Sequence, residues 1–187
     1  MRIALVIACV ALVNGQFHPQ SKAAAADTAR WLIHEATWGY LSTLQDGKPF
    51  AEVVSFSDGA KHSSTGRIFF YLMESGDPSD TPAALTVGEA SFNGTCGFAG
   101  TEVDPEDPRC AKLTLTGKLR KSSGDDVALG KKALFARHPQ MAHWPTSHGF
   151  AVCELTLGDI WMIDFCAAHG LDPLIVSLGC LFHLSPA

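Results

Sequence analysis

The side chains able to do chemistry fall into a few clusters. Ser57-Asp58-Gly59 to Ser63-Ser64-Thr65-Gly66 gathers hydroxyls, Lys61 and flexible backbone in one short stretch. Successive N–H groups in such a loop can cradle a phosphate. The stretch carries neither a GxGxxG nor a GxxxxGK pattern, and an ordinary hairpin loop has the same composition. Further on, Arg137-His138-Pro139 is followed by His143, Trp144, Pro145 and His148. Histidines at five-residue steps share no helical face, and zinc prefers four ligands, so no metal is expected. This cluster reads as a packed cap, Trp144 covering the barrel and the histidines partly exposed. His138, His143, Trp144 and His148 are accordingly a candidate partner surface. His34-Glu35 opens no HExxH motif because residue 38 is Trp, and there is no GxSxG elbow. Asp104, Glu106 and Asp107 lack the spacing of a calcium loop. No residue declares itself a catalytic base, which favours binding over catalysis.

Covalent features set the compartment. Residues 1–15, MRIALVIACVALVNG, read as a secretory signal peptide: Arg2, an apolar run from Ile3 to Val13, then small residues for cleavage. The run is shorter than the roughly 20 residues a membrane span needs. A secreted, extracellular chain beginning near Gln16 is expected, with no membrane span. The full chain has 14 Lys and Arg against 19 Asp and Glu, a formal charge of −5. Losing Arg2 with the leader makes that −6, and no basic patch remains, so direct nucleic-acid binding is not expected. Cys96 and Cys110 bracket the turn-rich segment GFAGTEVDPEDPR. In an oxidising compartment they either close a disulfide loop of about 15 residues, worth about 3 kcal/mol, or stay as two buried thiols. Cys153 reads as a core thiol, and the pairing of Cys166 and Cys180 is open. Asn93-Gly94-Thr95 is an N-glycosylation sequon directly before Cys96.

The elements that must position these groups follow from periodicity. Ala25, Ala29, Leu32, Ile33 and Ala36 recur at helical steps within Ser21 to Trp38. Trp38 to Leu44 and Phe50 to Phe56 read as a hairpin turning at Asp46-Gly47. Residues 57–66 read as a loop before a third strand, RIFFYLM. Asp77 to Ala83 suggests a short helix or turn, Ala84 to Phe92 a fourth strand and Cys110 to Arg120 a fifth. A helix over Asp126 to Arg137 and one long or two short strands over Phe150 to Phe165 complete the order. Antiparallel hairpins around a nearly closed core with outer helices fit it; a doubly wound parallel sheet does not.

Several segments resemble one family. They are Ala29-Arg30-Trp31-Leu32, Trp38-Gly39-Tyr40-Leu41-Ser42-Thr43, Gly47-Lys48-Pro49-Phe50, Ser55-Phe56-Ser57-Asp58-Gly59 and Phe70-Tyr71. With them go Asp104-Pro105-Glu106-Asp107-Pro108-Arg109-Cys110, Leu134-Phe135-Ala136-Arg137-His138-Pro139-Gln140-Met141, Trp144-Pro145 and Ile160-Trp161. In this order over residues 22–165 they resemble the CREG family. The resemblance implies an FMN-binding split barrel, a Greek-key antiparallel β-barrel with flanking helices, assembled as a homodimer. It also implies a secreted or endolysosomal glycoprotein that restrains growth and promotes differentiation without catalysis. No bound cofactor is expected, the flavin groove being obstructed by the segment at 94–109. Uptake by the mannose 6-phosphate/insulin-like growth factor II receptor is a further expectation, dependent on glycan at Asn93. The alternative is an FMN-dependent oxidoreductase whose phosphate would be held by Ser57, Lys61, Ser63, Ser64, Thr65 and Arg137. Residues 16–165 thus form the domain, and 166–187 a tail unlike the family's, apolar from Leu174 to Phe182.

Overall fold

A computed structural model describes residues 22–73, 80–97, 102–164 and 167–171. The expected signal peptide, Cys166, Cys180 and the tail after residue 171 lie outside the described residues. The elements are α1 (Lys22–Glu35), β1 (Trp38–Gln45), β2 (Lys48–Ala60), β3 (Ser63–Met73), β4 (Thr81–Gly88), β5 (Lys112–Lys121), α2 (Asp125–Arg137), β6 (Phe150–Asp164) and β7 (Ala167–Leu171). Short 3-10 turns occupy Glu89–Ser91, Pro139–His143 and Thr146–His148.

Each described strand pairing is antiparallel, in the order β3-β2-β1-β4-β5-β6-β7. β3 also pairs with β6, from Ile68 opposite Leu155 to Met73 opposite Phe150, which closes β1–β6 into a barrel. The run β3-β2-β1-β4 is a Greek key, with β4 paired beside β1 rather than beside β3. Closure leaves the barrel strands no open edge. β7, in the stretch read as an atypical tail, continues the sheet as a hairpin partner of β6.

Strand alternation explains both cores. Phe56, Ile68, Phe70, Leu85, Leu113, Leu115, Leu155 and Met162 point into the barrel, where Ala25, Ala29, Leu32 and Ile33 of α1 join them. Small alanines let the helix approach closely, and the long residues beside them fill the barrel. Phe69, one step from Phe70, points outward instead. It meets Ala133, Leu134, Met141 and Val152 in a second core beneath α2. Gly130 makes that contact feasible: a Cβ there would collide with Val152 Cγ1 and lie 3.0 Å from Phe69 Cδ1.

Several expected boundaries move. Residues 57–66 are not a loop: β2 runs to Ala60 and β3 starts at Ser63, leaving Lys61-His62 as the turn. A bulge between Ser57 and Gly59 shifts the register, and Gly59 sits at φ 145° against Ser63 O, where a side chain has no room. The hairpin tip carries polar residues on both faces, so no apolar alternation betrays the strands. β4 begins at Thr81, ahead of the expected Ala84. Its expected end, through Phe92, instead turns into a 3-10 turn because the Glu89 carboxylate folds inward to accept the Ala111 N–H at 3.2 Å. α1 stops at Glu35, since Trp38 is already paired with Ser55.

Candidate functional site

A cavity of about 190 Å³ lies between α1 and the β2–β3 hairpin. Trp31, Ile33, Ile68, Leu115 and Leu157 form its apolar wall; Arg30, His34, Asp58 and Ser64 bring polar groups to it. His34 and Asp58 clasp across it. His34 Nδ1 donates to both Asp58 oxygens at 3.0 Å, and Nε2 donates to Lys61 O at 2.8 Å. Asp58 is 4 % exposed. Burial of His34 disfavours its charge, yet the bonds to Lys61 O and Asp58 prevail over this and over Arg137, raising its pKa. Among the described residues, no cluster of three or more His, Cys, Asp or Glu could hold a metal ion.

The residues expected around a flavin phosphate share this neighbourhood without forming a cradle. Ser57 is buried, its hydroxyl within 2.9 Å of Gly59 O and 2.8 Å of Ala133 O while accepting the Gly59 N–H. Thr65 Oγ1 donates to Asp58 O at 2.7 Å, and Ser64 Oγ accepts the Gly66 N–H. Arg137 Nη2 donates to Glu35 O at 3.2 Å, tying α2 to the end of α1. Lys61 and Ser63 lie exposed at the hairpin tip. Within this chain the Ser57, Ser64 and Thr65 hydroxyls serve the bulged hairpin and Arg137 holds a helix end, while Lys61 and Ser63 stand apart at the tip.

The second cluster divides. His138 is buried rather than partly exposed, its Nε2 donating to Phe56 O at 2.9 Å, so it joins the partner surface no longer. A carbonyl only accepts, so this nitrogen carries the proton. His143 and His148 are exposed. Trp144 packs outside the barrel, 4.7 Å from Phe150 and 5.9 Å from Tyr71 between ring centres, completing the core under α2. It does not cover the barrel mouth.

Cys96 and Cys110 form a disulfide, and Cys153 is a buried free thiol. The described part of 94–109 folds on its own small core of Cys96, Val103, Cys110 and Ala90. Lys112 Nζ cinches the loop through the carbonyls of Pro105, Glu106, Asp107 and Cys110. Asp107 has its pKa lowered to about 2 by bonds to Arg109. No described residue of this segment lines the cavity, whose lid is α1. Asn93 is half-buried, its Nδ2 donating to Glu89 Oε1 at 3.0 Å.

One surface escaped sequence reasoning. Register places Val53, Tyr40, Thr86, Thr114 and Trp161 side by side on the outer face of β2, β1, β4, β5 and β6. Tyr40, Val53 and Trp161 are exposed at 51 %, 62 % and 47 %. The neighbouring row holds Ala51, Ser42, Ala84 and Thr116. Strand alternation alone marks these positions as outward, but only the register shows that they adjoin.

Comparisons place the chain. The first 3-10 turn, the barrel and its helices fall inside residues 19–168, which match the family model described as "CREG, beta-barrel". The chain is 35 % identical over 173 residues to Protein CREG1 of Gallus gallus, covering 84 % of this chain and 86 % of that protein. It is 39 % identical over 147 residues to Protein CREG2 of Mus musculus, covering 73 % of this chain but 50 % of that protein. The chain thus spans about half the length of that relative. Among solved structures, a heme binding protein from Mycobacterium smegmatis superposes with a TM-score of 0.63 at 16 % identity, over 82 % of this chain and 60 % of that one. Campylobacter jejuni ChuZ gives 0.58 at 10 %, over 82 % and 61 %. At such identities the likeness concerns the split-barrel fold alone. With its motifs, barrel topology and family match in agreement, the chain belongs to the CREG β-barrel family.

Proposed function

We propose that the protein is a non-catalytic, secreted or endolysosomal glycoprotein that regulates cell growth and differentiation through protein contacts, working as a homodimer. The outer sheet face carries this reading. Two adjacent rows, Val53-Tyr40-Thr86-Thr114-Trp161 and Ala51-Ser42-Ala84-Thr116, hold no charged residue and present exposed aromatics at 51 % and 47 %. A broad, uncharged face with aromatic anchors is an interaction surface, and a two-fold axis lets one such face meet its copy. Family membership and the engagement of the Ser57, Thr65 and Arg137 polar groups within the fold support a binding role over flavin chemistry. Glycan at Asn93 would give the mannose 6-phosphate/insulin-like growth factor II receptor its handle.

Sedimentation and absorption spectra of the purified glycoprotein test this together. A colourless dimer without flavin affinity is expected, with Tyr40→Glu and Trp161→Glu each yielding monomer. Stoichiometric bound flavin, or a wild-type monomer, overturns the reading.

A further inference from the structure

We propose that the cavity between α1 and the β2–β3 hairpin binds a small uncharged molecule, a single apolar ring carrying one hydroxyl or ether arm. The proposal goes beyond the interaction role and does not depend on the dimer.

Volume sets the upper limit. At about 190 Å³ the cavity exceeds the roughly 150 Å³ that accepts a benzene ring in an apolar protein interior. A ring with a short arm fills it; a flavin does not. The walls favour hydrocarbon. Ile33, Ile68 and Leu115 are buried there, and Trp31 and Leu157 pack against the same core. The Trp31 ring is braced edge-on by Phe92, 5.5 Å away between ring centres, so this aromatic wall is set before a ligand arrives.

Charge balance then decides what the ring can carry. The charged side chains of the lining are Arg30, His34 and Asp58. His34 is paired with Asp58 at 3.0 Å, and Arg30 with Asp27 at 2.6 Å. Each cation faces its own anion, so the lining has no net charge with which to draw an ion. An acid or an ammonium entering it would shed water without gaining a counter-ion, a cost that an uncharged group avoids. Ser64 is the neutral hydroxyl of the lining, exposed and so placed where the cavity opens to water. Its Oγ accepts the Gly66 N–H and keeps its own hydrogen to donate, which suits a hydroxyl or ether oxygen on the ligand.

The test is calorimetric titration of the full-length protein at pH 6 with benzyl alcohol, phenylacetate and benzylamine, which share a ring and a methylene and differ in charge. Benzyl alcohol is expected to bind, and each ion to bind at least about tenfold more weakly. Ser64→Ala should weaken benzyl alcohol about threefold, the loss of one neutral hydrogen bond, and leave toluene unchanged. Leu157→Phe, which fills the chamber, should abolish binding of both. Absence of benzyl alcohol binding overturns the proposal, as does either ion binding as tightly as the alcohol. Should Leu157→Phe fail to fold, the comparison of the three charges still decides. Sedimentation reports the dimer separately, so failure here leaves the interaction reading standing.

Discussion

His34 and Asp58 form an ion pair that joins α1 to the β2–β3 hairpin, one imidazole nitrogen meeting both carboxylate oxygens at 3.0 Å and the other meeting Lys61 O at 2.8 Å. Both partners are acceptors. A neutral imidazole has a single N–H, so only the imidazolium satisfies both at once. The helix that roofs the cavity is thus latched by a titratable group.

That latch makes stability depend on pH. The folded pKa of His34 is raised above its ordinary value of about 6.5. A group raised on folding contributes in full below its unfolded pKa and loses that contribution as pH climbs through the folded one. Asp58 on β2 and Arg137 on α2 are the charged groups facing it. The stability gap between wild type and His34→Gln should therefore be larger at pH 5 than at pH 8 in urea unfolding. An equal gap at both values removes the imidazolium.

Arg67 is the counterpart on the outer wall. Its Nε and Nη2 grip Glu154 of β6 at 2.7 Å and 2.5 Å, and Nη1 reaches Asp126 of α2 at 2.7 Å. The guanidinium also lies 5.1 Å from the Phe69 ring centre. Bonds to Glu154 and then Asp126 hold its pKa far above the ordinary arginine value. Arg67→Lys keeps the charge but cannot fork, so a loss of about 1–2 kcal/mol is expected from denaturant midpoints. Indifference to this change would mean the fork adds nothing beyond charge.

Gly130→Ala tests how closely α2 sits on the barrel. In an exposed helix alanine gains about 1 kcal/mol over glycine. Here the new methyl would run into Val152 and Phe69, both buried, so the substitution should lower Tm. A raised Tm would show the second core to be loose.

The disulfide should matter locally and globally. Cys96→Ser with Cys110→Ser frees a loop whose ends are 14 residues apart, at a cost of about 3 kcal/mol. Hydrogen exchange should quicken around 89–110 before it does in β5 or β6. Uniform quickening across the barrel would mean that the loop is part of a single cooperative unit.

At the sequon, two substitutions separate glycan from scaffold. Asn93→Gln and Thr95→Ala both remove the site; the first displaces the amide that donates to Glu89, a fully buried carboxylate, whereas the second removes the Thr95 hydroxyl that donates to Asn93 Oδ1 and leaves the bond to Glu89 in place. In protein made without glycosylation, Asn93→Gln should be the less stable by about 1–2 kcal/mol. Equal thermal stability would reduce the Asn93–Glu89 bond to a bystander.

Much of this molecule was legible in its residues, for identifiable reasons. The α1 stripe of Ala25, Ala29, Leu32 and Ile33, the Asp46-Gly47 turn and the α2 segment each carry a local signal of period or turn chemistry. The Cys96–Cys110 bond lay within reach because both cysteines flank one turn-rich loop. The 57–66 hairpin was misread because its tip is polar on both faces, so burial leaves no imprint there. His138 was misplaced because its partner, Phe56 O, lies 82 residues away.

Sequence alone therefore determined what is local or covalent: helix faces, turns, the sequon, the charge balance and the family's order of motifs. Tertiary structure decided what depends on register and closure. Pairing of β3 with β6 shut the barrel, and pairing across β2, β1, β4, β5 and β6 lined Val53, Tyr40 and Trp161 into one face. Packing of α1 against the barrel brought His34 to Asp58 at the wall of the cavity. Side-chain type limits which partners a residue can accept; only the folded backbone fixes which of them arrive within bonding distance.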